Sequence, residues 1–229
     1  GESSFHACIG IESVTIGNSV STIEAFAFGL CTNLKEINFG NSVSTIGAYA
    51  FSQCNSLTSI YIPNSTKYIQ GGAFADCANI TSVTLGNSVD SIEKGAFACP
   101  LITTIYCQAP IPPKCGEIFS YYDEIYTNAT LYVPIGSKSD YAAADIWCNF
   151  FNIEETDFSG VRNIEHDNGI TVTTEGNAII VNGAESGSLF SVFTTAGVHI
   201  YSGSEPVITG LAPGLYIVKV GNFTAKVLL

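Results

Sequence analysis

A mainly β fold in two parts is predicted for this chain: a solenoid of 23-residue coils with parallel strands over residues 1–155, then a small antiparallel β-sandwich over 156–229. Three observations predict it. Phe5, Phe28, Phe51, Phe74 and Phe97 recur at a constant step of 23 residues. Each is followed by a cysteine, Cys8, Cys31, Cys54, Cys77 and Cys99, and fixed offsets beyond the cysteines hold only aliphatic side chains. Past residue 168, short alternating runs separated by turn residues replace the repeat.

Within a coil the aliphatic columns are Ile11, Leu34, Leu57, Ile80, Ile102 and then Val14, Ile37, Ile60, Val83, Ile105. The second column alternates with polar neighbours, which is the period of a strand with one buried face. "GNSV" at 17–20, 40–43 and 86–89, and "IPNS" at 62–65, supply turn chemistry after each strand. A further column, Ile23, Ile46, Ile69 and Ile92, follows the turn. No single coil can bury a face alone, but stacked coils share one core, with strands about 4.8 Å apart.

After Ile105 the pattern dissolves through "CQAPIPPKCGEIFSYYDEIY", so residues 108–155 are expected to cap the solenoid. "ATLYVP" reads as one more strand. A short helix is expected to begin at Asp140, capped by Ser139, with Tyr141, Ala144 and Trp147 on the face that closes the core. The polar stretch "ETDFSGVRN", 155–163, marks the domain boundary. Beyond it "GITVTT", "NAIIVN", "SLFSVFTT", "VHIYS", "GLYIVKV" and "FTAKVLL" read as the strands of the sandwich, with Asp167-Asn168-Gly169 and Glu175-Gly176-Asn177 as turns.

The pattern "IGAYAFSQCNSLTSIYIPNSTKYIQGGAFADCANITSVTLGNSV" resembles the BspA-like leucine-rich repeats of bacterial surface proteins, and "LYVPIGSKSDYAAADIWCNFFNIEE" resembles their closing segment. The resemblance runs from residue 1 to about 155. It implies a leucine-rich-repeat solenoid, export, and adhesion or ligand binding rather than catalysis. It also implies that the cysteines face inward, where they pack and hydrogen-bond the backbone of the turn. The stretch 188–229, above all "LAPGLYIVKV", resembles the C-terminal domains that type IX secretion systems use for sorting. That resemblance implies a secreted or cell-surface protein of the outer membrane of a Gram-negative bacterium. "GESSFHACIG" opens partway through a coil, so a signal peptide and earlier coils are expected to precede Gly1.

The cysteine ladder is expected to hold free thiols acting as small hydrophobes. Disulfides between coils would need Cβ atoms about 3.8 Å apart, whereas in-register side chains stand near 4.8 Å. Cys107 and Cys115 bracket "QAPIPPK", a loop short enough for a disulfide to staple. The spacings match no zinc site, and no metal or other cofactor is expected.

A net charge of −12, with no Lys/Arg cluster, opposes binding to nucleic acid. No apolar run reaches membrane-spanning length. His6, His166 and His199 are scattered, and no nucleophile, zinc or phosphate-loop motif accompanies them, so an enzyme is not expected. Glu154, Glu155 and Asp157, with Glu165 and Asp167, read as a solvated linker lacking the spacing of a calcium loop.

The outward strand positions form two columns: Ser13, Glu36, Ser59, Ser82, Thr104, and Thr15, Asn38, Tyr61, Thr84, Tyr106. A ligand is expected to meet this face through Tyr61 and Tyr106, about 10 Å apart with Thr84 between them, and with Asn38 and Glu36 beside them. The expected partner is an extracellular protein or glycan, basic or neutral given the acidic field, met by a monomer. An exposed strand face is polar in any case. The alternative is therefore a structural spacer or display module with no ligand of its own.

Overall fold

The computed structural model describes residues 1–158, 171–175, 178–182, 184, 187–194, 198–211, 214–220 and 223–228. It divides into two units, Gly1–Thr156 and Asp157–Leu229, each with its own core.

In the first unit each of the first five coils supplies two short strands. They are β1 (Ser13–Thr15) and β2 (Thr22–Ile23), β3 (Glu36–Asn38) and β4 (Thr45–Ile46), β5 (Ser59–Ile62) and β6 (Tyr68–Ile69), β7 (Ser82–Leu85) and β8 (Ser91–Ile92), and β9 (Thr104–Cys107) and β10 (Lys114–Cys115). α1 (Glu124–Asn128), β11 (Thr130–Pro134), α2 (Lys138–Ala143) and β12 (Asn152–Thr156) complete the unit. All the pairings here are parallel. One wall of the solenoid is the ladder β2-β4-β6-β8-β10; the other consists of β1-β3 and of β5-β7-β9-β11-β12.

The phenylalanine column forms the spine. Phe5, Phe28, Phe51, Phe74 and Phe97 stack face to face at centroid separations of 5.1, 5.2, 5.3 and 5.5 Å. Phe28, Phe51, Phe74 and Phe97 are buried, whereas Phe5, stacked by one face only, is 47% exposed. The cysteines do what the repeat resemblance implies. Cys31 Sγ donates to the Phe5 carbonyl oxygen at 3.2 Å, Cys54 to Phe28 at 3.3 Å, Cys77 to Phe51 at 3.1 Å and Cys99 to Phe74 at 3.0 Å. A thiol therefore fills a small apolar space and also satisfies a carbonyl of the preceding coil.

The turns around Phe5, Phe28, Phe51 and Phe74 each reverse with two left-handed residues, at φ near +52° to +64° in the column Ser3, Phe26, Tyr49, Gly72 and at +56° to +62° in the column Ala7, Leu30, Gln53, Asp76, while the shorter turn around Phe97 has Gly95 alone, at +69°. Tyr49 stacks on Phe26 at 5.2 Å, and on the next coil a Cβ at position 72 would fall inside the Tyr49 ring. Glycine at 72 answers both demands, the positive φ and the space. In "GNSV" the glycine is required by coil stacking as well as by the turn: a Cβ on Gly86 would lie 2.6 Å from the Pro63 oxygen.

The coil pattern runs on past Ile105. Phe119 is buried, and Phe97 N–H donates to Ile118 O at 2.9 Å as Phe74 N–H does to Ala96 O. β10 pairs with β8, β11 with β9, and β12 with β11. Phe119 thus continues the column, and α1 is an insertion between it and its strand. The residues expected to close the solenoid begin with a sixth coil.

The expected capping helix differs in detail. It spans Lys138–Ala143 with Ser137, not Ser139, at its N-terminus, because Glu155 Oε1 on β12 accepts from the N–H groups of Gly136 (2.9 Å) and Lys138 (3.1 Å). Trp147 is not on that helix. Ile146 turns left-handed at φ +69°, and Trp147 opens a separate 3-10 turn, Trp147–Asn149. Both rings still reach the core: Tyr141 and Trp147 are fully buried and meet edge to face at 5.4 Å. Tyr141 donates its hydroxyl to Ala109 O at 2.8 Å, and Trp147 Nε1 donates to Pro113 O at 2.7 Å, so neither polar tip is left bare.

The second unit contains, among its described residues, β13 (Thr171–Glu175), β14 (Ala178–Asn182), β15 (Phe190–Thr194), β16 (His199–Gly203), β17 (Val207–Ile208), β18 (Leu215–Val220) and β19 (Phe223–Leu228). They form two antiparallel sheets, β13-β14-β17 and β16-β15-β18-β19. Val172, Ile179, Val181, Phe190, Val192, Ile208, Tyr216, Val218, Val220 and Val227 share one core. Glu165, His166 and the Asp167-Asn168-Gly169 turn lie outside the described residues, as do Gly176 and Asn177.

Candidate ligand-binding face

Register decides which outward side chains meet. Tyr61 on β5 pairs with Thr84 on β7, Thr84 with Tyr106 on β9, Tyr106 with Tyr132 on β11, and Tyr132 with Glu154 on β12. The inward partners Ile60, Val83, Ile105 and Leu131 are buried, so the strand alternation points the tyrosine column outward. Beside it runs Ser59, Ser82, Thr104 and Thr130. From β5 to β11 neither column contains an ionisable acid or base other than tyrosine.

Tyr61, Thr84 and Tyr106 thus lie together on one sheet. Glu36 and Asn38 stand on β3, in the separate ladder β1-β3, and engage each other, with Asn38 Nδ2 donating to Glu36 Oε1 at 3.1 Å. Tyr132 belongs to the column and was missed by sequence reasoning. Its signal was the match of "LYVP" to "IYCQ". Its ring stacks on Tyr106 at 5.0 Å with planes 18° apart.

Thr84 is 1% exposed, covered by its larger neighbours, and its Oγ1 has no hydrogen-bond partner. Burial raises the Tyr61 hydroxyl above its ordinary pKa, and burial with the Glu154 charge does the same for Tyr132. At neutral pH these hydroxyls stay protonated and can donate.

Among the described residues no group of three or more His, Cys, Asp or Glu side chains is placed to hold a metal ion. His6 packs at the edge of Phe26, and His199 at that of Phe193. Glu154 and Glu155 belong to β12 rather than to a linker. All eight cysteines are free, the Cys107 and Cys115 pair included; Cys107 Sγ lies 3.0 Å from the Tyr141 hydroxyl.

Those thiols have a consequence at high pH. Burial pushes Cys107 from 9.0 up to about 11 and Cys115 up to about 12, and also raises Cys54. A raised folded-state pKa gives stability that is fully present below about pH 9 and is lost as pH rises through the folded values. The melting temperature is expected to hold steady near neutrality and to fall above about pH 9, less steeply in a Cys54→Ala, Cys107→Ala variant. An equal slope in parent and variant would remove the thiols from the account.

The BspA type leucine-rich repeat model matches residues 1–125 in six copies, more than half of the chain and past Phe119. This chain belongs to the BspA-type leucine-rich repeat family. Among solved structures, the pneumococcal vaccine antigen PcpA is 20% identical with a TM-score of 0.53, over 69% of this chain and 38% of that one. A Treponema pallidum leucine-rich repeat protein is 30% identical with a TM-score of 0.39, over 45% of this chain and 60% of that one. A leucine-rich cell surface protein of Faecalibacterium prausnitzii is 22% identical with a TM-score of 0.34, over 73% and 44%. The family member described here therefore spans between 38% and 60% of the length of these chains. The PcpA likeness supports the solenoid fold. No curated protein matches the sequence. Among the described residues no helix is long and apolar enough to cross a membrane.

Proposed function

We propose that this BspA-type repeat protein is an exported cell-surface binding protein. Its solenoid meets an extracellular protein or glycan on the face formed by β5, β7, β9 and β11, with Tyr61 and Tyr106 as the principal contacts. The observation that carries this reading is the tyrosine column, set among uncharged hydroxyl side chains, in a chain of net charge −12. Partly buried tyrosines on rigid strands offer apolar area and a hydroxyl at little entropic cost. Glu36 and Asn38, on β3, extend the contact at the edge of the face. The antigen status of PcpA is in keeping with a surface location. The second unit serves type IX sorting to the outer membrane of a Gram-negative cell, and the protein acts as a monomer without catalysis.

The test is a binding screen of the full chain against matrix proteins and glycans, repeated with a Tyr61→Ala, Tyr106→Ala variant of unchanged circular dichroism. Loss of about tenfold or more in affinity is expected, since buried aromatic contacts dominate interface energetics. Undiminished binding would move the site to the turns or to the second unit. A screen in which nothing binds would leave a spacer or display module.

A further inference from the structure

Two buried side-chain polar atoms among the described residues lack a hydrogen-bond partner, Thr84 Oγ1 and Gln108 Nε2, and both flank Tyr106. Thr84 is the register partner of Tyr106 on the neighbouring strand. Gln108 follows Tyr106 by two positions and so emerges on the same face, its backbone N–H donating to Leu85 O at 3.0 Å. The two positions are diagonal neighbours, about 8 Å apart. Leaving a buried hydrogen bond unmade forfeits the hydration of the group with no return, and native chains contain few such groups. Two beside one outward ring mark a place that something else completes.

The shape of that place narrows the candidates. One face of Tyr106 is covered by Tyr132, stacked at 5.0 Å. The other looks across Thr84 toward Tyr61, two strands and about 10 Å away. A flat group in contact with both rings would need them about 7 Å apart, whereas a puckered ring with C–H groups on both faces needs about 8–9 Å, nearer to the strand spacing. In the free protein Thr84 is 1% exposed, so the slot is closed, and rotation of the Tyr61 side chain would open it. The charge argument points the same way. The columns between β5 and β11 carry no charged side chain, Glu36 and Glu154 standing only at their two ends, so the slot itself offers no ion pair to a basic peptide, and the acidic field repels an anionic polymer.

We propose that this slot is a subsite for one pyranose ring of a neutral glycan. The sugar's C–H faces would lie between Tyr61 and Tyr106, and its hydroxyls would meet the Thr84 hydroxyl and the Gln108 amide. This rests on the reading of the strand face as the binding face.

The experiment is calorimetric titration of the full chain with neutral hexasaccharides of the cello-, manno-, malto- and chito- series. Hyaluronan and a matrix protein serve as comparators, and Thr84→Val, Gln108→Leu and the double tyrosine variant are run alongside. At least one neutral oligosaccharide is expected to bind, and Thr84→Val and Gln108→Leu each to weaken it about tenfold, as loss of one hydrogen bond does. Thr84→Val is expected to melt no lower than the parent, because the hydroxyl it removes has no partner in the free chain. Three results overturn the proposal. One is binding of the matrix protein, lost in the tyrosine variant, with no neutral oligosaccharide bound, which would keep the strand face and discard the glycan. Another is glycan binding untouched by all variants, which would discard both. The third is a lower melting temperature for Thr84→Val with glycan binding intact, which would make the hydroxyl structural.

Discussion

Replacing Phe51 with alanine is expected to lower the stability of the solenoid by about 3–5 kcal/mol, the range for emptying a fully buried aromatic site. Phe51 is 0% exposed, is stacked between Phe28 and Phe74, and meets the edge of Phe39 at 5.8 Å. Its backbone also ties its coil to the next at two points, for its N–H donates to Ala73 O at 2.8 Å and its carbonyl accepts from Cys77 Sγ. The ring therefore leaves a cavity that the coils on either side cannot close without breaking their own stacking register. Phe5→Ala is the built-in control: the same column and chemistry, but one stacking partner and 47% exposure. It is expected to cost less than half as much. Urea unfolding followed by the fluorescence of Trp147, the single tryptophan, measures both. Equal losses for the two would mean that the column does not share a core.

Trp147→Ala is expected to cost a similar amount, about 3–5 kcal/mol, at the other end of the stack. The indole is fully buried, meets Tyr141 edge to face, stacks on Phe150 at 6.1 Å, and donates to the Pro113 carbonyl. Its loss removes apolar area and leaves that carbonyl unpaired. Trp147→Phe keeps a ring but not the N–H, and is expected to fall between parent and alanine variant in a thermal melt followed by circular dichroism. A Trp147→Ala melt indistinguishable from the parent would show that the segment after β11 does not hold the solenoid closed.

The coils were legible because stacking puts every position of a column in the same surroundings, so Phe28, Phe51 and Phe74 answer one physical demand. The sixth coil was hidden by its insertion. Ile105 follows Phe97 by eight residues, whereas Leu131 follows Phe119 by twelve, the extra length forming α1. Cys99 has no cysteine counterpart after Phe119, where Tyr122 packs against the core instead. The start of α2 could not be read locally either, since the carboxylate that fixes it, Glu155, arrives from a strand seventeen residues beyond Lys138.

At the candidate site, strand alternation was enough to align Tyr61, Thr84 and Tyr106. What it could not supply was the three-dimensional crowding. Thr84 is a short side chain between two long ones, and only the packed sheet buries it. Gln108 lies one residue past the end of β9, and its orphaned amide is a property of the folded surface alone.

Side-chain oxidation by hydroxyl radicals, read by mass spectrometry on the full chain with and without the tightest ligand from the screen, tests the binding face most directly. Tyr49 and Tyr68, 45% and 48% exposed and outside the outward columns of that face, serve as internal references. The expected result is protection of Tyr61, Tyr106 and Tyr132 with Tyr49 and Tyr68 unchanged. Protection of Tyr49 or Tyr68, with Tyr61, Tyr106 and Tyr132 oxidised as in the free protein, would contradict it.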